Sequence, residues 1–161
     1  MLQYVVGDLM NDAPCFNRRL ICHVVNDIGA YGAGVSGAIS KVYPKVEDEY
    51  KRWHKYEHYT LGTQIIPFKL GNIQIVPVEP SVYVINMIGQ KGVIGGNNPK
   101  PVKYASIVRC MERVYYVCKK MNGEIHAPLF GCGLGAGKWE IIEEFINEIW
   151  YDVPVIIYKL K

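Results

Sequence analysis

The sequence is short of the features that would classify it at once. Its five cysteines, Cys15, Cys22, Cys110, Cys118 and Cys132, are odd in number and form no C-x-x-C pair, which argues against a disulfide framework and against a zinc site. A reducing compartment fits that usage. No apolar run approaches the ~18 residues of a membrane-spanning helix, and MLQYVVGDLMND has no basic segment leading into an apolar core. The expectation is a cytoplasmic protein without a membrane partner. A net charge of +3 is too small to suggest direct duplex nucleic acid binding, which needs a concentrated basic face. No Gly-Lys-Ser/Thr of a Walker loop occurs. The glycine loop described below is not taken as the dinucleotide fingerprint, which couples a Gly-x-Gly-x-x-Gly register to an acidic residue about twenty positions on. Nothing calls for a cofactor or a metal.

The chain has 161 residues, 50% of them apolar and 20% charged, which is the composition and size of one globular domain spanning 1–161. Its organising stretch is HVVNDIGAYGAGVSGAISKVYP, His23 to Pro44. Leu20 to Val25 reads as a buried strand that stops at Asn26. A loop follows with Gly29, Gly32, Gly34 and Gly37, then a helix with Val35, Ala38, Ile39 and Val42 on one face, closed by Pro44. A strand that passes through glycines into a helix amino terminus offers unpaired N–H groups with no side chains in the way. That is a site for an anion, although a tight strand-to-helix turn would look the same.

Elsewhere the pattern alternates strand and helix. Leu2 to Val6 is a strand ending in Gly7-Asp8-Leu9. A polar link with Pro14 leads to the strand 20–25, and Val46, Tyr50 and Trp53 mark a second helix. Gln64 to Phe68, Ile73 to Val78 and Val82 to Ile88 read as antiparallel strands within a mixed sheet, followed by a polar loop at 89–101. Tyr104 to Cys118 recurs at helical spacing and ends near Asn122-Gly123. Ile125 to Phe130 is a strand that enters a second glycine-rich turn, 131–137; a helix over 139–150 and a strand over 154–158 close the chain. The expected fold is a three-layer α/β/α sandwich with a mixed central sheet. Ligands in such sheets settle where loops leave the carboxyl ends of adjacent strands, so two glycine loops of that kind suggest a crevice gripping a diphosphate from both sides.

YVVGDL, CHVVNDIGAYGAGVSGAI, VYVINMIGQ, KYASI, PLFGCGLGAGKWE and VIIYKL, in that order, resemble the macro domain family, in the branch of ADP-ribose 1″-phosphate phosphatases and terminal ADP-ribose glycohydrolases. The resemblance implies a site for a small-molecule ligand of ADP-ribose type. Asp8 would accept from the adenine amino group, with Leu9 beside it and Tyr158 and Leu160 packed near the ring. Gly32, Ala33, Gly34 and Val35 would line one side of the diphosphate; Gly131, Cys132, Gly133, Leu134 and Gly135 would line the other. Asn26 would hold the distal ribose, and Asn86 and Gln90 would complete the ligand set. His23, Asn26 and Asp27 would carry catalysis, with His23 or Asp27 managing a proton.

The implied function is binding of ADP-ribose and hydrolysis of the terminal phosphate of ADP-ribose 1″-phosphate. Beside it stand a non-catalytic binder of ADP-ribose or ADP-ribosylated protein, and a hydrolase that removes ADP-ribose from macromolecules. The chain has Gly135, Met87 and Ser36 where related hydrolases place an Asp, a Lys and an Asp, which disfavours the last reading. Two of the site residues have two readings each. His23 is a proton shuttle or a satisfied strand histidine. Cys132 is a thiolate or a small buried residue, with no Arg nearby to hold a phosphoryl group. His126 belongs to the core, and His54 and His58 sit in a Tyr-rich segment without metal-ligand partners.

Overall fold

The computed structural model describes residues 2–10 and 17–160; the polar link with Pro14 and the thiol of Cys15 lie outside them. Eight strands and four helices follow in the order β1 (Leu2–Val6), β2 (Arg18–Asn26), α1 (Val35–Val42), α2 (Pro44–Tyr56), β3 (His58–Leu61), β4 (Gln64–Pro67), β5 (Ile73–Glu79), β6 (Val82–Gln90), α3 (Tyr104–Met121), β7 (Gly123–Pro128), α4 (Trp139–Ile149) and β8 (Val155–Lys159). Six strands form one sheet in the order β1-β8-β7-β2-β6-β5. All neighbours are parallel except β5, which runs antiparallel to β6. The carboxyl ends of β1, β8, β7, β2 and β6 therefore point the same way. Every glycine loop named above leaves the sheet on that side.

Both faces of the sheet are covered, which is why β2 reads as a continuous apolar run. Its even residues Leu20 and Cys22, with Ile85 and Met87 of β6, pack against Ile107, Met111 and Val114 of α3 and Ile142 and Ile146 of α4. Ile21 and Val25 face the other way, toward Ile39 of α1 and Val46, Tyr50 and Trp53 of α2. The two fully buried tryptophans also satisfy their polar edge: Trp150 Nε1 donates to Met111 O at 2.9 Å, and Trp53 Nε1 donates to Ile66 O at 3.0 Å. Helix ends follow local chemistry. Pro44 opens α2 where no N–H is needed, and Asn122 closes α3 in the left-handed region at φ 53°.

Three expectations change. Gln64–Pro67 does not join the main sheet but pairs with His58–Leu61, a strand the periodicity did not reveal, in a separate antiparallel ribbon. The reason lies at the sheet's edge. Tyr59 of that ribbon reaches β5, where its hydroxyl donates to Ile73 O at 3.0 Å and accepts from Ile75 N–H at 3.4 Å. Lys45 takes the carbonyl of Pro77, a residue with no N–H to offer, so β5 is blunted against further pairing. Finally, β7 stops at Pro128, leaving Phe130 in the turn and its ring in the core beside Trp139 and Trp150. Among the described residues no helix is long and apolar enough to cross a membrane.

Candidate functional site

The first glycine loop is held from beneath by side chains. Asn26 ends β2, and its Oδ1 accepts from the N–H groups of Ile28 and Ala30 at 3.0 and 3.1 Å while its Nδ2 donates to Ala30 O at 2.7 Å. The Tyr50 hydroxyl lies 2.7 Å from the Asn26 carbonyl and 2.9 Å from its Oδ1, sharing one hydrogen between them. Gly29, at φ 79°, is pressed onto the His54 ring so closely that a methyl group there would stand 2.4 Å from Nδ1. Gly37 is fixed by a different contact, since its methyl would meet Gly32 O at 2.6 Å. Gly32, Gly34 and Gly37 do have the Gly-x-Gly-x-x-Gly spacing; what the dinucleotide pattern lacks here is its second strand, because the residues about twenty positions on lie in α2 and at its end, not at the end of a neighbouring strand.

The second loop is held by its own backbone. Gly131, at φ 78°, accepts through its carbonyl from Gly137 N–H at 2.8 Å, Gly133 O accepts from Ala136 N–H at 3.1 Å, and Gly135 O accepts from Val102 N–H at 3.0 Å. A methyl on Gly135 or Gly137 would lie 2.8 or 2.6 Å from Gly131 O. Cys132 is half-buried with its Sγ toward Phe130 O at 3.5 Å, and burial together with Glu140 pushes its thiol up to about 11. It is a thiol at neutral pH, not a thiolate.

The two loops meet. A methyl placed on Gly34 would be 3.6 Å from Leu134 Cδ1, so the tips of 29–37 and 131–137 face each other across one crevice. Among the described residues, the N–H groups of Gly32 through Gly37 and of Gly131 through Gly135 donate to no protein acceptor. Two rows of unpaired donors thus line opposite walls, one of them the amino terminus of α1.

The remaining sequence-selected residues divide into those near the crevice and those sealed beneath it. Gly7 N–H donates to Lys159 O at 3.0 Å, which brings Asp8 and Leu9 beside residues 158–160 at one end of the row of strand termini. Asp8 Oδ1 accepts from Met10 N–H at 2.9 Å, Leu9 is buried, and Leu160 is 89% exposed. Tyr158 is buried, with its hydroxyl 2.8 Å from Nδ1 of the core residue His126; its ring stacks on that imidazole. His126 is held down to about 4, chiefly by burial and then by Arg19. Asp27 Oδ1 accepts from Gly92 N–H at 2.8 Å and so ties the 89–101 loop to the end of β2. Gln90 Nε2 donates to Gly92 O at 3.1 Å, and its Oε1 lies against Gly135.

Two assignments are corrected. Asn86 is fully buried, accepting from His23 and donating to Gln74 Oε1 at 2.9 Å, and cannot touch a ligand. His23 is 1% exposed, and burial lowers it to about 4 despite the bond to Asn86, so it is neutral and lies under the loop, not at a ligand's leaving oxygen. Sequence reasoning missed Gln74, Tyr50 and Tyr31. Gln74 was visible as a lone polar residue within IQIVPV, on the buried phase of the strand. Tyr31 packs edge-on against His23 at 5.9 Å and tilts onto Tyr50 at 5.2 Å, with its hydroxyl buried. Two cavities lie elsewhere, one of about 630 Å³ between the ribbon and α3, lined in part by Tyr59, Tyr83 and Tyr116, and one of about 380 Å³ between the ribbon and α2, lined in part by Trp53, Tyr56 and Tyr59. Among the described residues no three His, Cys, Asp or Glu side chains gather as metal ligands.

Comparison with known proteins agrees with this geometry. A family model described as Macro domain matches residues 22–146. An ADP-ribose 1″-phosphate phosphatase of Candida albicans is 33% identical over 97% of this chain and 100% of its own length. Among solved structures, a protein of unknown function from Bacteroides thetaiotaomicron superposes with a TM-score of 0.87 at 33% identity, covering 98% of this chain and 97% of that one. A macrodomain protein from Streptomyces coelicolor gives a TM-score of 0.81 at 33% identity, covering 99% of both.

Proposed function

Because the chain belongs to the macro domain family, we propose that it binds ADP-ribose-type ligands between its two glycine loops and hydrolyses the terminal phosphate of ADP-ribose 1″-phosphate. The observation that carries this reading is the pair of facing N–H rows, with no protein acceptor among the described residues. A diphosphate supplies charged oxygens to both walls at once, and bonds to charged acceptors are roughly twice as strong as neutral ones. The adenine end would lie at Asp8, Leu9 and Leu160, the distal ribose toward Asn26. The name of the Candida relative supports the phosphatase step. A cytoplasmic location and a single working domain over 1–161 belong to the same proposal.

With His23 sealed and neutral, Asp27 takes the proton-handling role. Its Oδ1 is occupied by Gly92 N–H, which leaves Oδ2 for a water at the carboxyl end of β2. In the proposed step that water attacks phosphorus, the bond from phosphorus to the ribose oxygen breaks, Asp27 receives the water's proton, and the departing ribose oxygen takes up a proton from solvent to leave as a hydroxyl. Asp27→Asn separates chemistry from architecture, because the amide oxygen still accepts from Gly92. Phosphate release should fall to background while ADP-ribose affinity by calorimetry stays within about twofold. Undiminished release by the variant would remove Asp27 from the mechanism.

A second reading has its own observations. With His23 enclosed and Gly135 where related hydrolases carry an Asp, a binder of ADP-ribose or ADP-ribosylated protein needs no proton transfer. Binding by the wild type without any phosphate release selects it.

A further inference from the structure

Beneath the first loop, His23, Asn86 and Gln74 stand in lateral register on three adjacent strands. His23 of β2 is the register partner of Asn86 of β6, and Gln74 of β5 is the partner of Asn86 on the other side. All three are at most 2% exposed, on the face covered by α1 and α2. Their hydrogen bonds form one chain: Gln74 Nε2 to Glu49 O at 2.9 Å, Asn86 Nδ2 to Gln74 Oε1 at 2.9 Å, His23 Nε2 to Asn86 Oδ1 at 2.5 Å, and Ser36 Oγ to His23 Nδ1 at 3.5 Å.

The chain has a direction, and a backbone carbonyl sets it. Glu49 O can only accept, so Gln74 must turn its amide nitrogen toward α2 and its oxygen toward Asn86. Asn86 must then donate to Gln74 and accept from His23. A neutral imidazole has one N–H, and it is spent on Asn86; Nδ1 is left bare and can only accept. Ser36, the second residue of α1, therefore gives its hydroxyl hydrogen downward to His23 and keeps only lone pairs for the crevice. A phosphate oxygen, itself an acceptor, is the wrong partner for such an oxygen. A sugar hydroxyl is the right one.

We infer that Ser36 accepts a hydrogen bond from a hydroxyl of the distal ribose, and that His23, Asn86 and Gln74 are positioning residues that hold it in that sense without touching the ligand. This rests on the ADP-ribose reading above. It divides the labour of the first loop: backbone N–H groups take the diphosphate, and one polarised hydroxyl selects for the sugar beyond it. Because residue 86 is an amide, the chain offers no carboxylate to pair with an imidazolium, and burial outweighs the bond to Asn86, so His23 orients Ser36 and takes no proton from it.

The test compares ADP-ribose with ADP, which has the same adenosine and diphosphate but no distal ribose. In calorimetric titrations Ser36→Ala should weaken ADP-ribose about fivefold, the worth of one neutral hydrogen bond, and leave ADP unchanged; Ser36→Thr, which keeps the hydroxyl, should restore ADP-ribose binding. Equal loss for both nucleotides, or no loss for either, overturns the inference. The positioning chain is read independently in the wild type by 15N NMR of labelled histidine: His23 should be neutral with its hydrogen on Nε2, and a hydrogen on Nδ1 overturns it. A wild type that binds neither nucleotide would sink the ligand reading itself, a result distinct from one that binds ADP-ribose and ignores Ser36.

Discussion

The two glycine loops present the same thing to the crevice, a row of free N–H groups, and are built in opposite ways. Residues 29–37 are shaped by side chains from below: Asn26 and Tyr50 pin the turn, His54 backs Gly29, and His23 meets Ser36. Residues 131–137 are shaped by backbone alone, through the carbonyls of Gly131, Gly133 and Gly135. The lesson is that one surface of free N–H donors can be encoded either in a distributed set of side chains or in a local run of residues without side chains. The first is adjustable by substitution at a distance; the second tolerates no added atom.

That contrast can be broken most sharply at Gly137. A methyl there would sit 2.6 Å from Gly131 O, a backbone atom with nowhere to retreat. Gly137→Ala should reopen the second loop and weaken ADP-ribose on the order of a hundredfold by calorimetry, in line with the ~1–3 kcal/mol stored in such a turn. A change under threefold would show that the loop has slack its geometry denies.

Acid should attack the foundation of the first loop while leaving the second without a titrating group of its own. Burial lowers the His23 pKa in the fold from its ordinary value of 6.5 to about 4, so the unfolded chain takes up a proton that the native one refuses. The stabilising contribution is complete above about 6.5 and is lost as pH falls toward 4, up to about 3 kcal/mol over the window. His126, lowered likewise to about 4, adds to the same slope. Urea denaturation at several pH values should therefore show stability falling with acid, and His23→Phe should shed about one proton's worth of that slope. An unchanged slope would mean that His23 titrates normally.

A smaller effect belongs to Tyr50. Tyr50→Phe deletes the hydroxyl that braces Asn26 but leaves Ile28 and Ala30 donating to it. The expected cost is about 1–2 kcal/mol in chemical denaturation. A cost near zero would shift the burden of holding the loop to Asn26 alone.

The alternation of strands and helices, the two glycine loops at the carboxyl ends of strands and the amphipathic faces of α2, α3 and α4 were legible in the residues. Glycines at strand ends and apolar spacing report local geometry directly. Asn86 was misassigned because the resemblance carries residue identity and not which face of the strand a side chain takes; pairing and burial show that it points into the layer beneath α1 and α2. The β3–β4 ribbon was half missed because HYTL alternates too weakly over four residues to stand out, and its pairing partner was assigned to the wrong sheet.

By itself, the sequence determined where the backbone must bend, which segments are helix or strand, and that two loops carry donors without side chains, since each depends on residues within a few positions of one another. Only the tertiary structure decided that Gly34 and Leu134 face each other, that Gln74, Asn86 and His23 fall into one lateral row, and that the hydroxyl of Ser36 points into the protein. Those facts depend on strand order and register between residues as many as 100 positions apart, and a slip of one residue would turn Gln74, Asn86 or His23 to the opposite face of the sheet.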